Sequence, residues 1–320
     1  MMSINDFSYK QIVFLTTVDG EKLSFKNDNI VITDKYGKTI HQSTCYRLFA
    51  VFVVGHITIT SGLIERAKKF GFSIVLLSTT FRMIGTICNS AEGNVLLRKK
   101  QYSYNELQAG KFIVENKIRN QISTLKKNRK KSEFTKETIQ KLESYFRSVN
   151  NADGIQSIMG VEGSASRLYF VAHFDNIQWN SRKPRTKIDM VNTLMDIGYT
   201  ILFSYIDAIV GLFGFDKYVG VLHRQFYMRK SLICDLVEPF RCLIDNQIKQ
   251  SINLYQFKEE DFEIYNKKWC LKYCKSSQYA SIFLKEINEH KIEIYTYVRD
   301  FYRAIMKGIT KENFPVWNYE

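Results

Sequence analysis

The segment Gly220–Arg241 (GVLHRQFYMRKSLICDLVEPFR) gathers His223, Asp235 and Glu238 in a stretch that is otherwise apolar or basic. Imidazole and carboxylate side chains ligate divalent cations and act as general bases. Asp235 and Glu238 stand three apart, so a helix would present them on one face. Leu232, Leu236 and Phe240 would form an apolar stripe beside them. Two carboxylates next to a core are costly to hold together unless a cation lies between them or one is protonated. Neither acid has a lysine at i+4, which argues against an ordinary solvated face. The residues alone leave a metal site and a structural acid pair both open.

A further acid stands in Met159–Phe170 (MGVEGSASRLYF). On a helix Glu162, Ala165, Ser166 and Tyr169 share a face. The small Ala165 and Ser166 would let a ligand or another helix approach Glu162, whose plain alternative is simple exposure. His173 could join this face or be a satisfied core histidine. His41, His56 and His290 acquire no role.

The formal net charge is +14 and the pI near 9.3, an excess that fits a polyanionic partner. Lys126, Lys127, Arg129, Lys130 and Lys131 form the densest basic cluster, either a solvated helix end or a phosphate-contacting patch. Arg182, Lys183, Arg185 and Lys187 follow Trp179. Pro184 drives Lys183 out of the helical region, so this second cluster reads as a loop suited to a nucleic-acid strand.

These residues need elements to carry them. With 320 residues and an apolar fraction of 45%, the chain can bury a full core and divide into two domains. Lys10–Val18, Asn29–Thr33, Ala50–Ile59 and Ser73–Leu77 read as strands. Ser61–Phe70 reads as a helix capped by Ser61 and closed by Gly71. From about Ala91 a helical periodicity takes over, through Leu96, Leu97, Leu107, Phe112, Ile113 and Ile118. The expected fold is α+β: a small β-rich domain over 1–90, followed by a larger all-helical domain over 91–320. Ile197–Phe215 is long and apolar but carries Asp207 and three glycines, and reads as a buried core helix. The six scattered cysteines fit free thiols in a reducing cytoplasm, Cys270 and Cys274 included. MMSINDFSYK lacks the pattern of a secretion signal. Pro239 removes an N–H from the acid-bearing helix, so a kink is expected there that tilts both acids.

Gly160–Phe170, Asn192–Leu202 (NTLMDIGYTIL), Gly220–His223 (GVLH) and Ser231–Arg241 (SLICDLVEPFR) together resemble the CRISPR-associated integrase family. This is the larger, catalytic protein of spacer acquisition, and the resemblance rests on order, spacing and residue type. It implies that Glu162, His223 and Glu238 hold one Mg²⁺ or Mn²⁺, with Asp235 a supporting member of the catalytic set. It also implies attack on phosphodiester bonds of double-stranded and branched DNA, by a 3′-hydroxyl in integration and by water in cleavage. A homodimer joined through the β domains is implied, with two dimers flanking a dimer of a small adaptation partner as a heterohexamer. RKPRTKID departs from the family by having one proline and more cations before the Asn-bearing helix. The competing class is a basic DNA-architectural protein whose acids are structural. A peripheral membrane protein fits less well, because Lys285–Arg303 is too acidic for a membrane-surface helix.

Overall fold

The computed structural model describes residues 2–87, 91, 93–128, 131–177, 179, 181–223 and 226–320. The N-terminal part runs α1 (Ile4–Ser8), β1 (Gln11–Thr16), β2 (Lys22–Lys26), β3 (Asn29–Thr33), β4 (Thr39–Thr44), β5 (Leu48–Val54), α2 (Ser61–Phe70), β6 (Ser73–Leu77) and β7 (Met83–Ile87). The helical part follows as α3 (Val95–Ser103), α4 (Glu106–Lys126), α5 (Glu133–Ser148), α6 (Ile155–His173), α7 (Met190–Gly211), α8 (Ser231–Val237) and α9 (Arg241–Asn253). A hairpin, β8 (Phe262–Tyr265) and β9 (Lys268–Leu271), precedes α10 (Ser276–Glu289) and α11 (Lys291–Lys307). The fold is mixed α+β, β-rich at the N-terminal end and helical beyond it.

The hairpin corrects the expectation of an all-helical second part. Its strands alternate Phe262/Ile264 and Trp269/Leu271, and both residues of its tight turn, Asn266 and Lys267, have positive φ. That is the backbone a two-residue hairpin turn demands. Cys270 therefore lies on a strand and Cys274 on a 3-10 turn. The cysteines among the described residues are free; Cys88 lies outside those residues.

Two compact units emerge, and they do not follow a single cut near residue 90. The first takes Met1–Gly93, Lys187–Gly214 and Phe257–Tyr295; the second takes Asn94–Thr186, Phe215–Gln256 and Thr296–Glu320. Within the first unit, β1, β5 and β6 pair in parallel and β7 closes the sheet antiparallel, while β2, β3 and β4 form a separate antiparallel sheet. Every residue of β5 (LFAVFVV) is buried, as a central parallel strand covered on both faces must be. Part of that cover comes from late in the chain: α10 packs on β1 and α7 on β7. α7 is long and apolar enough to cross a membrane, but it is mostly buried in the protein, and Asp207 on it accepts a hydrogen bond from Thr86. The core-helix reading of this segment holds.

Several element ends move by small, explicable amounts. The strand expected over Ala50–Ile59 stops at Val54, because Gly55 has φ 113° and a Cβ there would collide with Tyr273 and Thr17. The cap of α2 is Thr60, not Ser61, and Gly71 closes the helix with φ 75°.

In the second unit α4 packs against α5, α6 and the 3-10 turn Glu238–Phe240. His173, at the C-terminal end of α6, is fully buried against Tyr169 and Phe174, and its ring nitrogens make no well-formed hydrogen bond. Burial, helped by Lys249, pushes its pKa down to about 3 from 6.5. The unfolded chain therefore binds a proton that the native state refuses, and stability falls as pH drops from about 6.5 towards 3. Replacing His173 by Leu removes a buried polar ring without uncovering a partner. We expect His173→Leu to be at least as stable as the parent in urea at pH 7.5. Its stability should also fall less steeply between pH 6.5 and 4; an unchanged difference across that window would contradict the account.

Candidate active site

α4 supplies the floor of the site. Its sequence reads as an apolar helix, yet Asn116, Lys117, Asn120, Gln121 and Thr124 are all buried along it. Spacings of one, three and four place them in one seam. Asn116 and Asn120 exchange hydrogen bonds with the backbone of Trp317 and Tyr319, and Asn120 also donates to Pro239 O at 3.0 Å. That last bond ties the turn carrying Glu238 to α4.

Lys117 is the polar centre of this seam. Its Nζ donates to Glu162 Oε1 from α6 and to Glu238 Oε2 at 2.6 Å. Burial opposes the charged ammonium, but Glu162 and Glu238 outweigh it and hold the Lys117 pKa above its ordinary value. Glu238 is nearly inaccessible and also faces Arg241, whose Nε lies 3.0 Å from Oε1. Burial raises the Glu238 pKa; Arg241 and then Lys117 more than cancel this and bring it down to about 2. Glu162 is a quarter exposed, and its Oε1 also accepts from Ser166, which in turn accepts from Gln121. Ala165 and Tyr169, on the same face of α6, are fully buried.

The kink expected at Pro239 is present. α8 ends at Val237, Glu238 N–H bonds to Asp235 O in a tighter turn, and α9 begins at Arg241. The break sends the two acids to different partners. Asp235 Oδ1 lies 2.6 Å from His223 Nδ1 and accepts from His223 N, while its Oδ2 accepts from the backbone N–H groups of Val221 and Leu222. Burial raises the Asp235 pKa, against the pull of His223 and of these N–H groups. Gly220 permits this approach, since a Cβ there would lie 2.6 Å from Asp235 Oδ2 and 2.8 Å from Ser231. The loop ahead of His223 is pinned by Gln101, which bonds to Asp216 and Val219, and by Tyr104 on Gly220 O.

Of the sequence-predicted residues, then, Glu162 and Glu238 meet at Lys117, and Asp235 holds His223. Among the described residues no three of His, Cys, Asp and Glu gather as a ready-made metal set. Sequence reasoning missed Lys117 and Arg241. Arg241 stands three residues after Glu238, a helical pairing distance; Lys117 could have been found as part of a polar repeat on an apolar helix.

The basic clusters are partly engaged. Lys126 pairs with exposed Glu143 at 2.9 Å, Lys127 lies 3.6 Å over the Tyr319 ring, and Lys131 bonds to Asn128 O. Arg129 and Lys130 lie outside the described residues. Arg182, Lys183 and Arg185 occupy the expected loop after α6, where Arg185 and Lys187 have positive φ; Lys187 bonds to Thr80 O at 3.3 Å.

Comparison with known proteins decides the family. The family described as "CRISPR associated protein Cas1" matches residues 14–288. The chain belongs to the Cas1 family. A "CRISPR-associated endonuclease Cas1 1" of Thermodesulfovibrio yellowstonii is 28% identical over 258 residues, covering 77% of this chain and 79% of that Cas1. Two solved structures share the fold. One, a Cas6-RT-Cas1–Cas2 complex, has TM-score 0.82 and 24% identity, over 98% of this chain and 36% of the longer one. The other, a casposase bound to its integration product, has TM-score 0.78 and 17% identity, over 97% and 96%.

Asp235→Asn keeps the side chain's shape but presents one acceptor oxygen where four donors converge. We expect it to cost about 2–4 kcal/mol in urea unfolding. Glu143→Gln, which breaks an exposed pair, should cost under about 1 kcal/mol. Equal effects would contradict the positioning role assigned to Asp235.

Proposed function

We propose that this chain is a divalent-metal-dependent DNA endonuclease and integrase of CRISPR adaptation, with Glu162, His223 and Glu238 holding one Mg²⁺ or Mn²⁺. The observation that carries this reading is the pair of carboxylates, from α6 and from the Pro239 turn, turned towards one cation in a mostly buried setting. Two carboxylates and an imidazole are a donor set suited to Mn²⁺ or Mg²⁺. When bound, such an ion neutralises charge on the scissile phosphate and aligns the attacking oxygen, a DNA 3′-hydroxyl in integration or water in cleavage.

The chain's own residues prepare this chemistry. Asp235 accepts the Nδ1 proton of His223, which leaves Nε2 as the nitrogen with a lone pair for a ligand. Glu238 stays ionised because Arg241 and Lys117 stabilise its charge. Ser166 and Gln121 orient Glu162. Names among the relatives and neighbours support the activity: endonuclease for the curated relative and integration product for the casposase. The likeness to a Cas6-RT-Cas1–Cas2 complex supports a small partner protein, which we propose binds homodimers of this chain in a heterohexamer. Free thiols accord with a cytoplasmic setting. Phosphate contacts fall to Lys126, Lys127 and Lys131 and to Arg182, Lys183, Arg185 and Lys187. Exposed ion pairs such as Lys126–Glu143 are weak enough to be exchanged for DNA.

Glu162→Gln leaves Glu238 to pair with Lys117 and so tests chemistry without stranding the ammonium. Cleavage and strand transfer of branched DNA in Mn²⁺ or Mg²⁺ should fall about a hundredfold or more, while DNA affinity in chelator is kept or raised. Full activity would sink the metal-site reading; a parent with no metal-dependent activity at all would favour the architectural alternative.

Neutralising Lys126, Lys127 and Lys131 together should weaken duplex binding regardless of sequence. The slope of log affinity against log salt should flatten by up to about 0.9 per lost contact. An unchanged slope would mark this cluster as solvated surface.

A further inference from the structure

Lys117 belongs to no ligand set proposed above, yet it stands where Glu162 and Glu238 meet. Its environment is built for a cation. The ammonium is almost completely buried, donates to both carboxylates, and lies in a helix seam whose other members are hydrogen-bonded. Without a positive charge at this point, two carboxylates would face each other in a mostly desolvated space, where repulsion is strong. Arg241 neutralises the far oxygen of Glu238, its Nε lying 3.0 Å from Oε1.

A divalent cation bound by both carboxylates would need the place that the ammonium fills, because two cations in contact repel as strongly as two anions. A lysine suits such an exchange better than an arginine, since it is a point charge on a flexible four-carbon stem. A cleft opens beside Lys117, lined by Gln121, Phe170, Glu238, Arg241 and Asp245.

We propose that Lys117 is a resident counter-ion: it holds Glu162 and Glu238 facing each other in the metal-free chain and yields its place to the divalent cation. Metal binding is then an exchange against an ammonium, so affinity is weaker than the two carboxylates alone would give. The inference rests on the ligand set proposed above and makes Lys117 a positioning residue, acting through the two acids.

The test compares the parent with Lys117→Met, which keeps the stem and removes the charge. In chelator, Lys117→Met should melt at lower temperature than the parent, because the two acids lose their shared partner. In calorimetric titration with Mn²⁺ it should bind about tenfold more tightly or better, and Mn²⁺ should raise its melting temperature more than the parent's. Lys117→Met/Glu162→Gln removes one charge of each sign and should regain stability in chelator. If Lys117→Met cannot be obtained folded in chelator, recovery of folded protein in the double variant supports the proposal and no recovery overturns it. Equal or weaker Mn²⁺ binding by Lys117→Met, or a chelator stability equal to the parent's, also overturns it. A parent that binds no Mn²⁺ removes the ligand set and this inference with it; a parent that binds, with no gain in Lys117→Met, removes this inference alone.

Discussion

The second unit depends on one buried electrostatic arrangement: an ammonium on α4 shared by carboxylates from two distant parts of the chain. Two cations, Lys117 and Arg241, balance two anions, Glu162 and Glu238, so the buried group carries no net charge. Balance of this kind is required, since a lone buried charge costs several kcal/mol. The ion pairs also fix register. Lys117 reaches both acids only if α4, α6 and the Pro239 turn keep their present alignment, and the Asn120 bond to Pro239 O holds that turn in place.

The helix break after Val237 has a similarly broad effect. On an uninterrupted helix, acids three apart would share one environment. With the 3-10 turn between them, Asp235 serves the backbone and ring of His223, and Glu238 serves Lys117 and Arg241. A single proline thus separates an orienting acid from a cation-binding one within four residues, and Gly220 provides the room for the orienting acid to work.

The acids and the imidazole of the candidate site could be picked out from the sequence because three of them are local in it. His223, Asp235 and Glu238 lie within one 16-residue span, and Glu162 stands beside small residues that the packing of α6 requires. Asn29–Thr33 and Ser73–Leu77 were readable as strands because their β-branched, buried runs leave no helical alternative. β2 and β4 were not, because KLSFK and TIHQST are mostly exposed and polar and take their strand character from pairing with β3. Lys117 escaped notice for the opposite reason: a buried cation looks like any surface lysine until its partners, 45 and 121 residues away, are brought to it. The parallel sheet's need for cover predicts some helix, but periodicity cannot say that α7 and α10 supply it.

The interleaving of the two units bears on how the chain is made. Their boundaries fall after residues 93, 186, 214, 256 and 295, five passages from one unit to the other. The sheet of the first unit is synthesised early, but the helices that cover it emerge only between residues 187 and 214 and beyond 257. At about 5–20 residues per second, the ribosome leaves those apolar strands without their cover for roughly ten seconds or more. During that interval an N-terminal fragment is no folded intermediate but a sheet in want of a face. Cutting the gene after residue 93 or 186 reproduces that state permanently, and since each unit is assembled from three separate segments, neither can be produced as a contiguous fragment.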